Sequence, residues 1–414
     1  MQKTVVVGAG VVGLACAHAL RRRGRNVVVI DQDRPGSACS AGNAGWIVPS
    51  ISAPLPGPGV IADTLKWMLR SDSPLYIAPS AVPRLARFLW SFWRHCNRSD
   101  WLRGLEAVAR LNRQTFRQFD QLEADGLRFE RYRTGLLFIF TDPDYMRASL
   151  AEFDHLQVAG YSRPDPLDGA ALRELEPAIS TKVTSGYLVT AENHVRPESL
   201  CQAYVSCLTS LGVDLMTGVR VTGAETRNGR AHVLHTTQGP VEGTEFLIAA
   251  GAWSGEVAEL LGVKLPVQAG KGYSITIDRA SSPLSRPLYL GEARVGCSPF
   301  EGAIRFAGTM ELSGVNTVLD RRRIRGIRRG VGRYLNLPMG DSEGTEWVGM
   351  RPITPDGLPL LGRVPRFENV YIATGHAMLG VTLAPATAEV MGDLMTGATP
   401  APELSAFEPG RFRW

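Results

Sequence analysis

"KTVVVGAGVVGLACAHALRRRGRNVVVIDQD" (Lys3–Asp33) decides the fold. Thr4–Val7 is a short β-branched run, the composition of a strand buried on both faces. Gly8-Ala9-Gly10-Val11-Val12-Gly13 follows at once and matches G-x-G-x-x-G. A helical segment runs to Arg23, and a second strand, Asn26–Ile30, ends at Asp31 with Gln32 beside it. Gly8 permits the tight turn, Gly10 lets backbone approach a pyrophosphate, and Gly13 lets helix pack on strand. The helix N-terminus offers unpaired N–H groups and the positive end of its dipole. Asp31 is placed to accept hydrogen bonds from ribose hydroxyls. Strand, glycines, helix, second strand and terminal acid together predict a dinucleotide site. "GPGVIA" (Gly57–Ala62) fits the pattern formally, but it lies among prolines and follows no strand.

The chain has 414 residues, enough for two or three lobes. Its 44% hydrophobic and 21% charged content is ordinary for a globular protein. The net charge is +5; five residues are lysine and forty are arginine. Six scattered cysteines include no C-x-x-C pair, which argues against zinc and iron–sulfur sites and for free thiols in a reducing compartment. Of the seven histidines, the six other than His376 show no metal spacing. Val5–Leu20 is apolar but short for a membrane span, and it lacks the flanks of a signal peptide. The expected location is cytoplasmic, and nothing points to nucleic acid.

Periodicity places helices over Pro83–Gln121, Asp142–Leu156, Glu198–Leu211 and Asp320–Leu335. Strands are expected at Gly135–Phe140, Val219–Val221, Ala231–Thr236 and Glu245–Ala250, and as short pieces from Pro266 to Thr309. Both ends of the chain carry nucleotide-site character, which implies a discontinuous α/β architecture. Residues 1–60, 190–265 and 346–414 would form a Rossmann-like cofactor domain. Residues 61–189 and 266–345 would form an α+β substrate domain around a mixed sheet.

Two further stretches bear on the cofactor. "SACSAGNAGWIVPS" (Ser37–Ser50) is made almost entirely of small residues until Trp46. Such a tract lets backbone N–H groups come close to a ligand. "VGMRPITPDGLPLLGR" (Val348–Arg363) leads through a strand to "GHAMLGVTLAP" (Gly375–Pro385), a glycine turn with a helix starting near Thr382. A helix N-terminus there would stabilise the negative charge that a reduced flavin develops at N1–C2=O.

These motifs, with "AAGAWS" (Ala249–Ser254) and "KGYSIT" (Lys271–Thr276), stand in the order and at the spacing of the FAD-dependent D-amino acid oxidase/dehydrogenase superfamily. The chain resembles it over essentially its whole length, bacterial D-amino acid dehydrogenases most closely. The resemblance implies FAD bound extended, with ADP at Gly8–Gly13, Asp31 and Gln32. Val221 would lie by the adenine, and Ala250, Gly251 and Trp253 near the pyrophosphate. The isoalloxazine would lie between Ser40, Ala41, Gly42, Asn43, Ala44, Gly45 and Trp46 on one side and Arg351, Gly375, His376, Met378, Leu379, Gly380, Val381 and Thr382 on the other.

The implied reaction oxidises a D-amino acid by moving hydride from Cα to flavin N5. The resulting imine hydrolyses to a 2-oxo acid and ammonia. The flavin carries the chemistry and the protein orients the substrate. No side-chain base is required when the amine enters neutral. A carboxylate clamp is required, and arginine's planar fork suits it. Arg305, on a strand of the substrate domain, and Arg351, beside the flavin segment, are the candidates; a structural ion pair is the competing reading of each. Tyr273 would cover the substrate or pack in a strand. His376 would act at the flavin or serve packing. Cys39 is near enough to raise a covalent flavin link, although small-residue packing also explains it.

The expected electron acceptor is a quinone or dye. Four of the eight tryptophans, Trp67, Trp90, Trp93 and Trp101, lie among arginines in a segment suited to a membrane interface. The competing reading, which needs no membrane, is an amphipathic helix pair packed on the substrate domain. Alternative functions are an oxygen-using oxidase of glycine, sarcosine or D-amino acids, a D-hydroxyproline dehydrogenase, a flavoprotein subunit of a larger complex, and an NAD-dependent dehydrogenase.

Overall fold

The valines of Lys3–Val7 form the third strand of a six-stranded sheet. Its order is Asp214–Thr217, Asn26–Asp31, Lys3–Val7, Glu245–Ile248, Val370–Thr374 and Leu360–Arg363. The first five strands are parallel and the last is antiparallel. The computed structural model describes residues 2–60, 75–157, 160–279, 282–337, 340, 343–398 and 402–412. On one face of this sheet, helices Val11–Arg22, Pro197–Ser210 and Gly380–Thr396 share a core that includes Leu14, Leu20, Leu200, Tyr204, Leu383 and Met391. A three-stranded antiparallel sheet built from Val221–Arg227, Arg230–Thr236 and Gly239–Glu242 covers the other face through Val221, Leu234 and Val241. A Cβ on Gly13 would sit 1.9 Å from the Gly8 carbonyl oxygen. Any side chain there would push the first helix off its strand.

The second large sheet is mixed. It runs Thr345–Ile353, Gln268–Asp278, Ala303–Leu312, Val295–Phe300, Leu288–Leu290, Leu136–Phe140, Ser185–Val189 and Pro166–Asp168, with Leu75–Ile77 paired to Ala303–Leu312. Strand alternation gives it two different faces. Leu137, Ile139, Ile275, Ile304 and Phe306 pack with Ile324, Ile327 and Val331 of helix Arg321–Tyr334. Phe138, Tyr289, Gly296, Gly272, Ala307 and Gly349 line a large cavity instead. A small third sheet, Trp46–Ile47, Asn193–Val195 and Arg131–Tyr132, fastens the small-residue tract to the rest of the chain.

Several expectations change in detail. The helical region after Pro83 is three helices, Val82–His95, Arg98–Asn112 and Thr115–Ala124. Asp142–Leu156 is broken into Pro143–Ala151 and Phe153–Leu156. The region from Pro266 opens on one strand of 11 residues rather than on short pieces. Residues 345–353, placed almost wholly with the cofactor domain by the sequence, form the edge strand of the mixed sheet. The last long helix begins at Gly380, one half-turn earlier than expected.

Candidate active site

The cavity has a volume of about 1600 Å³ and runs from the glycine turn of the first strand to the aromatic face of the mixed sheet. At one end lie Gly8, Gly10, Val11, Val12, Asp31, Gln32 and Val221. Asp31 accepts the Ala9 N–H at 2.6 Å and the Asp33 N–H at 2.9 Å. Burial still holds its carboxyl above the ordinary range, with those two N–H groups opposing. Ser40 Oγ accepts the Val11 N–H at 2.9 Å, so the small-residue tract begins against the N-terminus of the first helix. Ala9 and Gly13 lie behind the lining.

The middle of the cavity is bare backbone. A Cβ on Gly10 would meet only Ser40 Oγ, at 3.2 Å. Gly251, at φ +54°, has no atom within 4 Å of its Cβ position. Ala250 and Trp253 line the same stretch. This unobstructed backbone, with the first helix pointing at it, fits the pyrophosphate of an extended FAD.

Two segments converge at the far end. Gly42, Asn43, Ala44, Gly45 and Trp46 line the cavity, while Ala41 does not. Opposite them are His376, Met378, Leu379, Gly380 and Val381; Gly375 and Thr382 stand just behind. Thr382 ties the two together. Its Oγ1 accepts the Val48 N–H at 3.2 Å and donates to the Trp46 carbonyl at 3.0 Å. The Trp46 indole N–H reaches Ser298 Oγ at 2.9 Å, and its ring lies where Gly296 lacks a side chain. Trp46, Tyr289, Phe138 and Tyr187 continue as a chain of edge-on and stacked rings.

The two candidate arginines separate cleanly. Arg305 is 4% exposed and does not line the cavity. Its guanidinium donates to the Asn43 carbonyl at 2.9 Å, to Thr276 Oγ1 at 2.9 Å and to Glu198 at 2.7 Å. Glu198 also accepts the Gly42 N–H at 3.2 Å. Burial pushes the Glu198 carboxyl up, but Arg305 and Gly42 outweigh it and hold it below the usual range. Arg305 is therefore a brace behind the small-residue tract, which corrects its expected role as a clamp on substrate. Arg351 does line the cavity. One N–H of its fork goes to the Thr309 carbonyl at 2.7 Å. It lies against Gly272, where a Cβ would sit 2.5 Å from the guanidinium carbon. The Ala377 N–H donates to the Pro352 carbonyl at 2.8 Å, which binds the His376–Gly380 turn to the residue after Arg351.

Tyr273 touches the cavity, but its hydroxyl donates to Glu311 at 2.6 Å and its ring packs with Ile275 and Ile327. It does not present a free hydroxyl to substrate. The His376 ring shares a hydrogen bond with Thr387 Oγ1 at 2.9 Å, and burial pulls its pKa down to about 3. It is a neutral packing histidine whose backbone shapes the turn. Burial pushes the Cys39 thiol up to about 11, with Arg351 opposing, so Cys39 is a poor nucleophile. Among the described residues no group of three acidic, histidine or cysteine side chains is arranged to hold a metal.

Sequence reading missed Glu152, Arg294, Tyr289 and Trp347, all of which line the cavity. Burial holds the Glu152 carboxyl above its ordinary range, with Arg294 opposing. The available signal was strand alternation: Gly272, Gly296 and Gly349 mark the cavity face, and Tyr289 and Trp347 share it.

The chain matches the family model described as FAD dependent oxidoreductase over residues 3–394. It is 30% identical to a D-amino acid dehydrogenase of Chromohalobacter salexigens, with 99% of each chain covered. It is 29% identical to one of Cereibacter sphaeroides, covering 100% of this chain and 95% of that one. In fold it is similar to glycine oxidase from Geobacillus kaustophilus (TM-score 0.77, 20% identity, 100% of each chain). It is also similar to L-proline dehydrogenase from P. horikoshii (TM-score 0.76, 18% identity, 99% and 97% covered). With a full-length family match and a cavity that fits an extended dinucleotide, this chain belongs to the FAD dependent oxidoreductases and is an FAD-dependent enzyme.

Proposed function

We propose that the protein is a D-amino acid dehydrogenase that passes its electrons to a quinone-like acceptor. The observation that carries this reading is Arg351, a cavity-lining guanidinium on the strand bonded to the His376–Gly380 turn. Bound FAD would supply the redox chemistry, as the acceptor of hydride from the substrate. Gly8–Gly13, Asp31 and Gly251 would hold its ADP end, and the Gly42–Trp46 and His376–Val381 segments its ring. The N-terminus of helix Gly380–Thr396 favours negative charge at the ring. The remaining N–H groups of Arg351 would pair with the substrate carboxylate and fix Cα toward the ring. Tyr289, Phe138 and Trp46 form an apolar wall for the side chain and help exclude water.

The full-length similarity to D-amino acid dehydrogenases supports the substrate class. An oxygen-using oxidase remains the second reading, because the glycine oxidase fold is shared. A peripheral membrane contact through helix Val82–His95 would bring the flavin to a lipid-borne acceptor. The test is direct. The purified protein should show a flavin spectrum that bleaches anaerobically with D- but not L-amino acids. Dye reduction should outrun peroxide formation. A colourless protein, or peroxide formed as fast as dye is reduced, overturns the reading.

A further inference from the structure

Glu192 has no place in the mechanism above, yet its surroundings are unusual. It follows strand Ser185–Val189 and is 0% exposed. Its Oε1 accepts the Ser50 N–H at 3.0 Å, while its Oε2 has no hydrogen-bond partner. The Ser50 hydroxyl is also buried and unpartnered. Ser50 itself lines the cavity. It stands two residues beyond Val48, whose N–H binds Thr382 in the first turn of the flavin-side helix. An unpartnered carboxyl oxygen thus belongs to a group that holds, through its other oxygen, the backbone of a cavity-lining residue whose own hydroxyl is unpartnered. Native interiors rarely leave two such groups unsatisfied.

We propose that Ser50 and Glu192 form a relay that takes the proton from the substrate ammonium before hydride transfer. The proposal rests on the amine-oxidising reading given above. The amine must be neutral for its lone pair to assist loss of hydride from Cα. The Ser50 hydroxyl has one rotatable bond, so it can turn from the carboxyl toward the cavity. The N–H bond of the ammonium breaks and its proton goes to Ser50 Oγ. The Ser50 O–H bond breaks and that proton goes to Glu192 Oε2. The substrate is left neutral and Glu192 uncharged, and no oxidant or further reactant is needed. Ser50 is the group that meets substrate; Glu192 acts through it.

The electrostatics suit the role. Burial pushes the Glu192 carboxyl up to about 8, with Ser50 beside it opposing. A base near the operating pH transfers protons most effectively. Tyr161 responds to the Glu192 charge, and burial with that charge raises its hydroxyl. The other ionisable neighbours are committed elsewhere. Arg131 binds Asp120, Glu123 and Asn193, Tyr132 binds Glu130, and His194 meets the Pro299 carbonyl.

The test uses the FAD-loaded enzyme with Glu192→Gln and Ser50→Ala, the second of which keeps the backbone N–H. In the unaltered enzyme kcat/KM should rise with pH through about 8. Either substitution should move that rise up to the pKa of the free substrate ammonium and lower kcat/KM near neutrality about 100-fold. The visible flavin spectrum and the rate of reoxidation by dye should not move. A second readout needs no turnover: the infrared band of a protonated carboxylic acid should titrate near neutrality to mildly alkaline pH and vanish in Glu192→Gln. An active enzyme whose pH profile ignores both substitutions overturns the relay alone, as does an acid band that persists without Glu192. A flavin that no amine reduces overturns the functional reading and, with it, the relay.

Discussion

A single residue separates the two candidate arginines: Glu198. Arg305 and Arg351 both sit on strands, and both are polar residues in apolar surroundings. What distinguishes them is an ion pair across 107 positions of sequence, which no local pattern encodes. Replacing Arg351 with lysine keeps the charge and removes the fork. It should lower kcat/KM for amino acids about 100-fold, mainly through KM, worth about 2.7 kcal/mol; steady-state kinetics at fixed dye concentration would measure it. Arg305→Ala should instead leave KM nearly unchanged while lowering FAD retention and stability, because it removes the donors that hold the Asn43 carbonyl and the Glu198 carboxylate behind the small-residue tract. Glu192 makes a different residue-scale prediction. Its folded pKa lies near 8, above the roughly 4.3 of an unfolded chain. The folded state thus holds a proton that the unfolded state has lost, so stability falls as pH rises from about 4.3 to 8. Glu192→Gln removes that loss. Melting curves should show the variant more stable than the parent at alkaline pH, with the difference gone near pH 4; equal shifts at both would contradict the linkage.

At the scale of elements, the Ser37–Ser50 tract was legible as a cofactor-facing segment because its composition suits nothing else. Its internal division was not legible. Gly42 and Gly45 both have left-handed φ, +61° and +69°. A Cβ on Gly42 would strike the Trp347 ring at 2.2 Å, whereas one on Gly45 would strike the Val195 carbonyl oxygen at 1.9 Å. The first neighbour is a side chain in the cavity wall. The second is backbone of the small sheet, which accepts no adjustment. Gly42→Ala should therefore cost the apoprotein about 1 kcal/mol of left-handed strain and weaken FAD binding further as the Trp347 ring is displaced, while Gly45→Ala should destabilise the apoprotein more, by a few kcal/mol, on the order expected when backbone strain and a clash with fixed backbone combine. Comparing apoprotein melting with FAD titration distinguishes them. The same limit applied to the edge strand Thr345–Ile353. Its residues resemble the cofactor motifs that follow them, but its pairing partner, Gln268–Asp278, lies far away in sequence. Local pattern predicts strands; it does not say which sheet they join. Among the described residues, three of the four non-glycine residues with positive φ, Arg294, Thr309 and Ala377, line the cavity. Strained backbone has collected where function needs it.

Across the whole molecule, the cofactor half was readable because strand, turn and helix recur within thirty residues, while the substrate half is assembled from contacts between distant segments. Helix Val82–His95 is one such segment, with a buried and an exposed face. Leu85 and Phe88 are buried against Leu312 and Ile353, so this face is spoken for. The opposite face carries Trp90 and Trp93, 57% and 59% exposed, with Arg84, Arg87 and Arg94 and no acid in the helix. Arg94 lies 4.9 Å from the Trp90 ring centroid. Trp101 is half-buried and lines the cavity, and Trp67 lies outside the described residues. Among the described residues no helix is long and apolar enough to cross a membrane, and the contact proposed for this face is a peripheral one. Exposed tryptophans at headgroup depth and arginines on lipid phosphates would supply it. If helix Val82–His95 docks the enzyme on its acceptor's membrane, it should sediment with vesicles containing anionic lipid and be released as salt is raised. Replacing Trp90 and Trp93 with serine should abolish sedimentation and slow reduction of a lipid-soluble quinone in those vesicles. Reduction of a water-soluble dye should be unchanged, because the substitutions lie outside the cavity lining. Equal quinone rates with and without the tryptophans would remove the membrane from the mechanism and leave the amine half of the reaction intact.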